Sequence, residues 1–284
     1  MKIFTKIWLG IALAALGFGI IIIIIVVSSG GTVVDIPTVS YQESYTGITD
    51  IDMDIAYAKV EVIRGDAFSI DAEDIPENSL KAYVDNGTWF IKQNGDSEYN
   101  IFGVKVHLDS IIHWRWWDYE EPNITITLPD DFTAGTFKLE IGAGDVMIEE
   151  VLASKADFAV SAGRLIIDKA SISDESYYEV GAGAIELKEL QANDISIDCG
   201  VGSIFIEGTI TGNNDITCGV GKVELMLDGE EDDYSYEIES GVGSINIGDD
   251  YYHGISDEKK INNNGTAGVF KLDCSVGNIT VDFQ

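Results

Sequence analysis

Residues 199–206 read Cys-Gly-Val-Gly-Ser-Ile-Phe-Ile, and this motif decides the fold because close versions of it recur through the second half of the chain. Its centre is a Gly/Ser–Ala/Val–Gly triplet, and successive triplets start 19, 20, 19, 19, 22 and 34 residues apart. A repeat of nearly constant length predicts a solenoid, in which each unit buries its apolar residues only by stacking on its neighbours. The seven triplets occupy residues 142–144, 161–163, 181–183, 200–202, 219–221, 241–243 and 275–277.

Alternating apolar residues flank every triplet, as at Ile197 and Cys199 before it and Ile204 and Ile206 after it. This period of two, rich in β-branched residues, indicates strands that bury one face. The alternation of inward-facing residues shifts by one position across the triplet, which predicts a corner or bulge there. We expect the central Ala or Val of the triplet to form a further inward layer. We predict an all-β, parallel β-solenoid with about 19–20 residues per coil and seven coils over residues 136–284.

The glycines of the triplet have a structural explanation. No copy continues to a second Gly-x-x-Gly before a helix, and no P-loop lysine follows, so a nucleotide-binding loop is disfavoured. A corner in which the backbone leaves no room for a Cβ explains all seven copies. The predicted corner glycines are Gly144, Gly163, Gly183, Gly202, Gly221, Gly243 and Gly277.

Residues 48–135 are less regular, and we predict that they form irregular β-structure or a cap that protects the first edge of the solenoid. Residues 51–62 look like a degenerate repeat with Ala-Tyr-Ala at its corner, positions 56–58. Asn86-Gly87 is a signal for a type I′ hairpin turn. Residues 123–129 alternate as a further strand that ends at a proline.

An uncharged apolar run covers residues 7–27 and includes isoleucine at every position from 20 to 25. As a helix it would span roughly 31 Å, about the thickness of a bilayer's hydrocarbon core. It continues into Ser28-Ser29 without an Ala-x-Ala site, which favours one retained transmembrane helix over the alternative, a cleaved signal peptide.

Basic residues give this anchor a direction. Lys2 and Lys6 precede the run, and the next basic residue is Lys59. The positive-inside rule therefore places residues 1–6 in the cytoplasm as a short stub, and everything beyond the run outside the cell membrane. The extracellular part begins with a predicted juxtamembrane linker over residues 28–47.

The chain is strongly acidic, with 49 Asp and Glu against 17 Lys and Arg and a formal net charge of −32. Because 45% of the residues are hydrophobic, the composition is not that of a disordered acidic chain. Nucleic acid is excluded as a partner, since a phosphate backbone would be repelled. Residues 1–30 hold two lysines and no acids, so the extracellular part carries −34.

The apolar amino-terminal run, the Ile-Thr-Ile-Thr-Leu-Pro segment at 124–129 and the tandem Gly-Ala/Val-Gly corners resemble the bacterial putative-adhesin family, which includes membrane-anchored Lia-type cell-envelope proteins. The resemblance covers roughly residues 48–284 and rests on pattern, not on a catalytic signature. It implies an all-β, solenoid-like ectodomain at a bacterial surface and an association with envelope stress. It supplies no catalytic residues.

Two aromatic segments are candidate binding surfaces. The first, residues 113–119, holds three of the five tryptophans, which suit a sugar surface, a partner protein or the membrane interface; the alternative is that they cap the open end of the core. The second lies in the long interval at residues 249–266, which is either a binding loop or surface drift. The candidate residues are Trp114, Arg115, Trp116, Trp117, Tyr119, Tyr251, Tyr252 and His253.

Cys199, Cys218 and Cys274 each precede a triplet, at a position that valine holds in earlier coils. We expect small buried thiols, with a Cys199–Cys218 disulfide as the alternative. Neither a Cys-x-x-Cys pair nor a Gly-x-Ser-x-Gly elbow occurs. We therefore predict no cofactor, no metal site and no catalytic residue, with calcium as an incidental ligand of the acidic strand face or of the acidic run at 228–233.

Together these features predict a membrane-anchored, extracytoplasmic β-solenoid that acts as a non-enzymatic, adhesin-like binding or regulatory protein of the bacterial cell envelope. Its expected partners are the membrane and a cell-wall polymer or envelope protein. One alternative is a carbohydrate-active enzyme on a β-helical scaffold, which needs carboxylates clustered in a groove. The other is a self-assembling surface scaffold that pairs through an exposed final strand, residues 279–283.

Overall fold

A computed structural model describes residues 38–93, 98–101, 104–107, 122–253, 259–263 and 265–284. In these ranges the chain forms β-strands and one short 3₁₀ turn, Glu231–Asp233. The strands of the first half are β1 (Thr38–Tyr45), β2 (Asp50–Ile55), β3 (Lys59–Gly65), β4 (Phe68–Pro76), β5 (Leu80–Asp85), β6 (Thr88–Gln93), β7 (Glu98–Ile101), β8 (Val104–His107), β9 (Asn123–Pro129) and β10 (Ala134–Ile141).

The repeat region supplies the remaining strands, several of which run from one face of the solenoid to the other without interruption. They are β11 (Asp145–Val160), β12 (Arg164–Val180), β13 (Ala184–Asn193), β14 (Ile195–Cys199), β15 (Ser203–Cys218), β16 (Lys222–Leu227), β17 (Tyr234–Ser240), β18 (Ser244–Ile247), β19 (Asp250–His253), β20 (Lys259–Ile261), β21 (Gly268–Cys274) and β22 (Asn278–Phe283).

Strand segments that precede a corner form one face of the continuous sheet, which we call the leading face. Segments that come after a corner form the opposite face, which we call the following face. The leading face runs β5–β6–β2–β10–β11–β12–β14–β15–β21–β17–β20. The following face runs β1–β4–β9–β3–β11–β12–β13–β15–β16–β22–β18–β19. The predicted all-β, solenoid-like fold is confirmed.

The corners stack along one edge of the molecule. The N–H at the centre of each corner donates to a carbonyl of the corner beneath, as from Val220 to Gly200 at 2.8 Å. The predicted alternation is confirmed, because the apolar residues that flank each triplet point inward and are buried, as Ile204 and Ile206 are. In spatial order the described corners are residues 56–58, 142–144, 161–163, 181–183, 200–202, 219–221, 275–277 and 241–243.

This spatial order differs from the order in the chain at one place. The coil made by β21 and β22 lies between the coil that ends in β16 and the coil of β17 and β18. We call residues 268–283 the inserted coil. Because β22 has a parallel partner on each side, the predicted exposed final strand is wrong, and the self-assembly hypothesis loses the open edge on which it rested.

Antiparallel strands close both ends of the described solenoid. β5 and the β4–β1 pair cover the first end, and β20 and β19 cover the second. Asn86 and Gly87 have φ values of 49° and 86°, as the predicted type I′ turn requires. Residues 38–45, which we assigned to a linker, form β1, because they pair with β4 along its whole length.

The corner glycines are required by close packing and not by backbone conformation, since none of the seven has a positive φ. A Cβ at Gly221 would lie 2.7 Å from the Cys199 Sγ and closer still to the Gly202 carbonyl oxygen of the coil beneath. The predicted inward layer of central residues is wrong. Val201 is 67% exposed and Val242 87% exposed, because the alternation of a strand ends where the backbone turns the corner.

Candidate functional site

The tryptophan-rich candidate lies outside the described residues. Trp114, Arg115, Trp116, Trp117 and Tyr119 all fall between residues 108 and 121, so their role as a binding surface or a cap stays a prediction.

The second candidate is a short hairpin at the far end of the following face. β18 and β19 pair so that Tyr251 lies opposite Asn246 and His253 opposite Ser244. Tyr251 and His253 both point outward and their ring centroids are 5.3 Å apart, with a 43° angle between the planes. Tyr251 is 62% exposed, whereas Tyr252 is 7% exposed and packs inward. The structure therefore brings two of the three predicted residues together and separates Tyr252 from them.

Polar side chains continue this surface across the neighbouring strands. On β22, the Thr280 Oγ1 donates to the Asn278 Oδ1 at 2.9 Å, and the Asn278 Nδ2 donates to the Ser244 Oγ at 2.8 Å. The Oδ1 of Asn246 is buried and has no hydrogen-bond donor within the described ranges. We call this surface the end platform, and it comprises Tyr251, His253, Ser244, Asn246, Asn278 and Thr280.

Charged groups around the end platform are engaged by neighbours. Lys222 Nζ pairs with Glu224 Oε1 at 2.6 Å, and the hydroxyl of Tyr252 donates to Asp250 at 3.0 Å. Burial, with that hydrogen bond, raises the pKa of Tyr252 to about 12. Lys259 Nζ lies 4.2 Å from the centroid of the Tyr252 ring, a cation–π distance. Tyr252 thus supports the platform from beneath and does not form its surface.

A second aromatic pair, with one exposed and one half-buried ring, was not predicted from the sequence. Tyr83 on β5 and Phe90 on β6 stack with centroids 5.1 Å apart and planes at 22°. The signal was available, because both residues are three positions from the Asn86-Gly87 turn and so lie opposite each other in the hairpin. The two rings cover each other, and Lys92 lies over the Phe90 ring at 5.3 Å.

The three cysteines form one column, although Cys274 is far from the others in sequence. Register places Cys199 beside Cys218 and Cys218 beside Cys274, and all three are free and fully buried. The expected buried thiols are confirmed. The hydrogen bond to Cys199, together with burial, raises the pKa of the Cys218 thiol, and burial raises that of Cys274. The Cys218 and Cys274 thiols are therefore held protonated, which makes these two poor nucleophiles.

We expect thiol labelling to distinguish free cysteines from a disulfide. A thiol reagent such as Ellman's should react slowly with the native chain, because the sulfurs are buried beneath the corner glycines. In concentrated urea the same reagent should detect three thiols per chain. A parallel sample reduced before denaturation sets the full count. One reactive thiol per unreduced, denatured chain would instead show that two cysteines are bonded.

The acidic column of the leading face is arranged in pairs. In spatial order Asp54 lies beside Glu140, Glu179 beside Asp198, and Asp273 beside Glu239, with Ala159 and Thr217 between the pairs. Burial raises the pKa of Asp54, and the negative charge of Glu140 raises it further. Within the described ranges no three His, Cys, Asp or Glu side chains converge as a metal site. Calcium stays a prediction.

A cleft of about 490 Å³ lies near the first end of the solenoid. It is open and contains a single carboxylate, from Asp131. Glycoside hydrolysis needs two carboxyl groups across the scissile bond, so this cleft does not supply the arrangement that the enzyme alternative requires. Its lining residues are Ile48, Thr49, Phe68, Pro129, Asp131, Phe132, Thr133 and Gly135.

Comparison with known proteins gives one family and several distant structures. Residues 48–282 match the family described as Toastrack DUF4097. A putative adhesin from Bacteroides fragilis is 15% identical, with 86% of this chain and 97% of that chain covered and a TM-score of 0.42. A putative cell adhesion protein from Clostridium sporogenes is 13% identical, with coverages of 87% and 100% and a TM-score of 0.35.

A third structure, a putative lipid binding protein from Parabacteroides distasonis, is 12% identical, with 85% of this chain and 96% of that chain covered and a TM-score of 0.35. None of the curated proteins matches the chain. Across the part of the chain that the structure describes, no helix has both the length and the apolar character needed to span a bilayer. The predicted anchor, residues 7–27, lies outside that part.

Proposed function

The chain belongs to the Toastrack family DUF4097; we propose that it is a single-pass membrane protein whose β-solenoid acts outside the cell as a binding or regulatory protein of the bacterial envelope. The observation that carries the proposal is the sequence of residues 7–27, an uncharged run of membrane-spanning length that precedes the matched domain. Lys2 and Lys6 before it support a cytoplasmic amino terminus.

Binding, not catalysis, is the activity that we propose for the domain. Its apolar side chains are committed to stacking the coils, while the end platform presents Tyr251 and His253 to solvent from a rigid sheet. A rigid surface loses little conformational freedom when it binds a ligand, which favours recognition. The acidic pairs of the leading face lie on an extended strand surface and not in a groove, which speaks against the glycosidase alternative.

Membrane fractionation of the full chain tests the anchor and its orientation. Expressed in a bacterium, the chain should stay in the membrane pellet after alkaline carbonate washing. Protease added to intact spheroplasts should digest it, since the solenoid is outside. Substituting Leu16→Arg and Phe18→Arg at the middle of the run should release most of the chain from the pellet, because each charge at the centre of a membrane helix costs about 3 kcal/mol.

A matched pair of substitutions just outside the run serves as the control. Ser28→Asp with Ser29→Asp adds two charges beyond the apolar residues and should leave the chain in the pellet. Recovery of the wild-type chain in the soluble fraction without residues 1–27 would show a cleaved signal and refute the anchor. A pelleted chain that resists protease in intact spheroplasts would refute the proposed orientation.

A further inference from the structure

We propose that the end platform binds a neutral glycan, that is, a saccharide chain whose sugar units carry no carboxylate, phosphate or sulfate. This inference deepens the proposed binding role and rests on it. Its basis is the combination of exposed rings, a fixed row of hydroxyl and amide groups, and the charge of the surrounding surface.

The two rings supply the apolar part of the site. Tyr251 and His253 are tilted by 43° and do not cover each other as stacked rings do, so the Tyr251 face remains open to solvent. Sugar rings have an apolar side lined by C–H bonds, and an aromatic face attracts such hydrogens through its negative quadrupole. Both rings sit on β19, whose pairing with β18 fixes their positions without help from a loop.

The polar row supplies directional contacts at the edge of the rings. The chain of hydrogen bonds from Thr280 through Asn278 to Ser244 orients each amide and hydroxyl group before a ligand arrives. Ser244, the last acceptor in this chain, retains its own O–H as a donor. Asn246, opposite Tyr251, extends the row, but its Oδ1 is buried and has no donor among the described residues, so a ligand hydroxyl reaches it only if a neighbouring side chain moves. Vicinal sugar hydroxyls both donate and accept, so they match this mixture of groups.

Charge selects the kind of glycan. The chain carries a net −32; Lys222, which lies beside Asn278 in the sheet, is paired with Glu224 at 2.6 Å, and Lys259 lies over the Tyr252 ring. Strongly acidic polymers would therefore be repelled by the net charge, and the two lysines described near the platform are already engaged, one by a carboxylate and one by an aromatic ring. A protein partner is less suited, because stable protein interfaces need about 800 Å² per side with an apolar centre. The platform crosses only β19, β18 and β22, which is about 10 Å at ordinary strand spacing.

Isothermal titration of the full chain, in a detergent without a sugar headgroup, tests the proposal. The probes are three neutral hexasaccharides (cellohexaose, chitohexaose and maltohexaose) and one polyanion, hexagalacturonate. We expect at least one neutral probe to bind with a dissociation constant of about 1 mM or tighter, and hexagalacturonate to bind at least about tenfold more weakly.

Variants locate the binding. Tyr251→Ala should weaken the neutral probe at least about tenfold, whereas Tyr251→Phe keeps the ring and should stay within about threefold. Tyr83→Ala is the matched control, because it removes an exposed tyrosine from a capping hairpin on the opposite face. It should leave the affinity unchanged. Thermal unfolding of each variant, followed by circular dichroism, confirms that the solenoid is intact.

Four results would overturn the proposal: no neutral probe binds, hexagalacturonate binds as well as the neutral probes, Tyr251→Ala binds like the wild type, or Tyr83→Ala loses as much affinity as Tyr251→Ala. None of them alters the fractionation result for residues 7–27. Loss of glycan binding with a retained, protease-sensitive membrane anchor would therefore refute the ligand and leave the proposed envelope role standing.

Discussion

Deleting residues 268–284 should abolish the cooperative fold of the second half of the solenoid. The deletion removes five fully buried side chains, whose burial contributes roughly 7–15 kcal/mol, about as much as the whole stability of a typical domain. It also leaves β16 and β18 without partners on the sides that face the gap. The buried residues lost are Phe270, Leu272, Cys274, Ile279 and Val281.

Far-ultraviolet circular dichroism and size-exclusion chromatography measure this outcome. We expect loss of the main thermal transition and association through the exposed strand edges. The control deletion removes residues 38–45, because β1 pairs on one side only and most of its residues are exposed. This control should lower the midpoint temperature by only a few degrees. If the 268–284 deletion unfolded like the control, the inserted coil would not be an integral layer of the core.

Gly163→Ala should destabilise the protein by on the order of 3 kcal/mol, a drop in midpoint temperature of roughly 6–12 °C for a domain of this size. A Cβ at this position would overlap the Gly144 carbonyl oxygen of the coil beneath and press on Ile141. That oxygen accepts the Arg164 N–H at 3.0 Å, so relieving the overlap would also weaken a hydrogen bond between coils. Urea unfolding of the purified chain measures the change.

The control is a larger substitution at the adjacent residue. Ala162→Val adds two methyl groups, but Ala162 is exposed at the corner and valine already occupies the equivalent position in four other corners. We expect a change within about 0.5 kcal/mol. Equal destabilisation by both variants would mean that the corner is sensitive to any added bulk. It would contradict our explanation that the third residue of the triplet is specifically restricted by overlap with the coil beneath.

The coil and its corners were predictable because both depend on local patterns. Alternation such as that of Ile204 and Ile206 identifies the buried face of a strand, and a triplet with glycine at its third position in all seven copies indicates a corner where backbones touch. The outward direction of Val201 was not predictable in this way, because strand parity does not extend through a corner.

The triplets alone do not fix the order of the coils, since every triplet can stack on every other. The backbone hydrogen bonds that join corner 275–277 to corners 219–221 and 241–243 are of the same kind as those between corners that are consecutive in the chain. Two signals favoured insertion. Cys274 repeats the residue of Cys218, whereas Ser240 does not, and the 34-residue interval is long enough for the chain to leave the stack and return.

The end platform was half predictable. Treated as a loop, residues 251–253 formed one aromatic cluster, but a strand places alternate residues on opposite faces, so Tyr252 turns inward while Tyr251 and His253 stay outside. The polar row opposite them could not be found without the inserted coil, because Asn278 and Thr280 belong to β22 and reach Ser244 only through that insertion.

The inserted coil also sets a sequence of events during biosynthesis. Residues 222–247 leave the ribosome before residues 268–283, so β16 and β18 are synthesised before β22, the strand that lies between them. Assembly of this end must wait until the later segment inserts between β16 and β18. This step is slow, because it forms contacts between residues that are distant in sequence. If the domain is translocated from residue 28 onward, its maturation would therefore be governed by the arrival of its last strands, and a synthetic peptide of residues 265–284 added early would compete for the same position between β16 and β18.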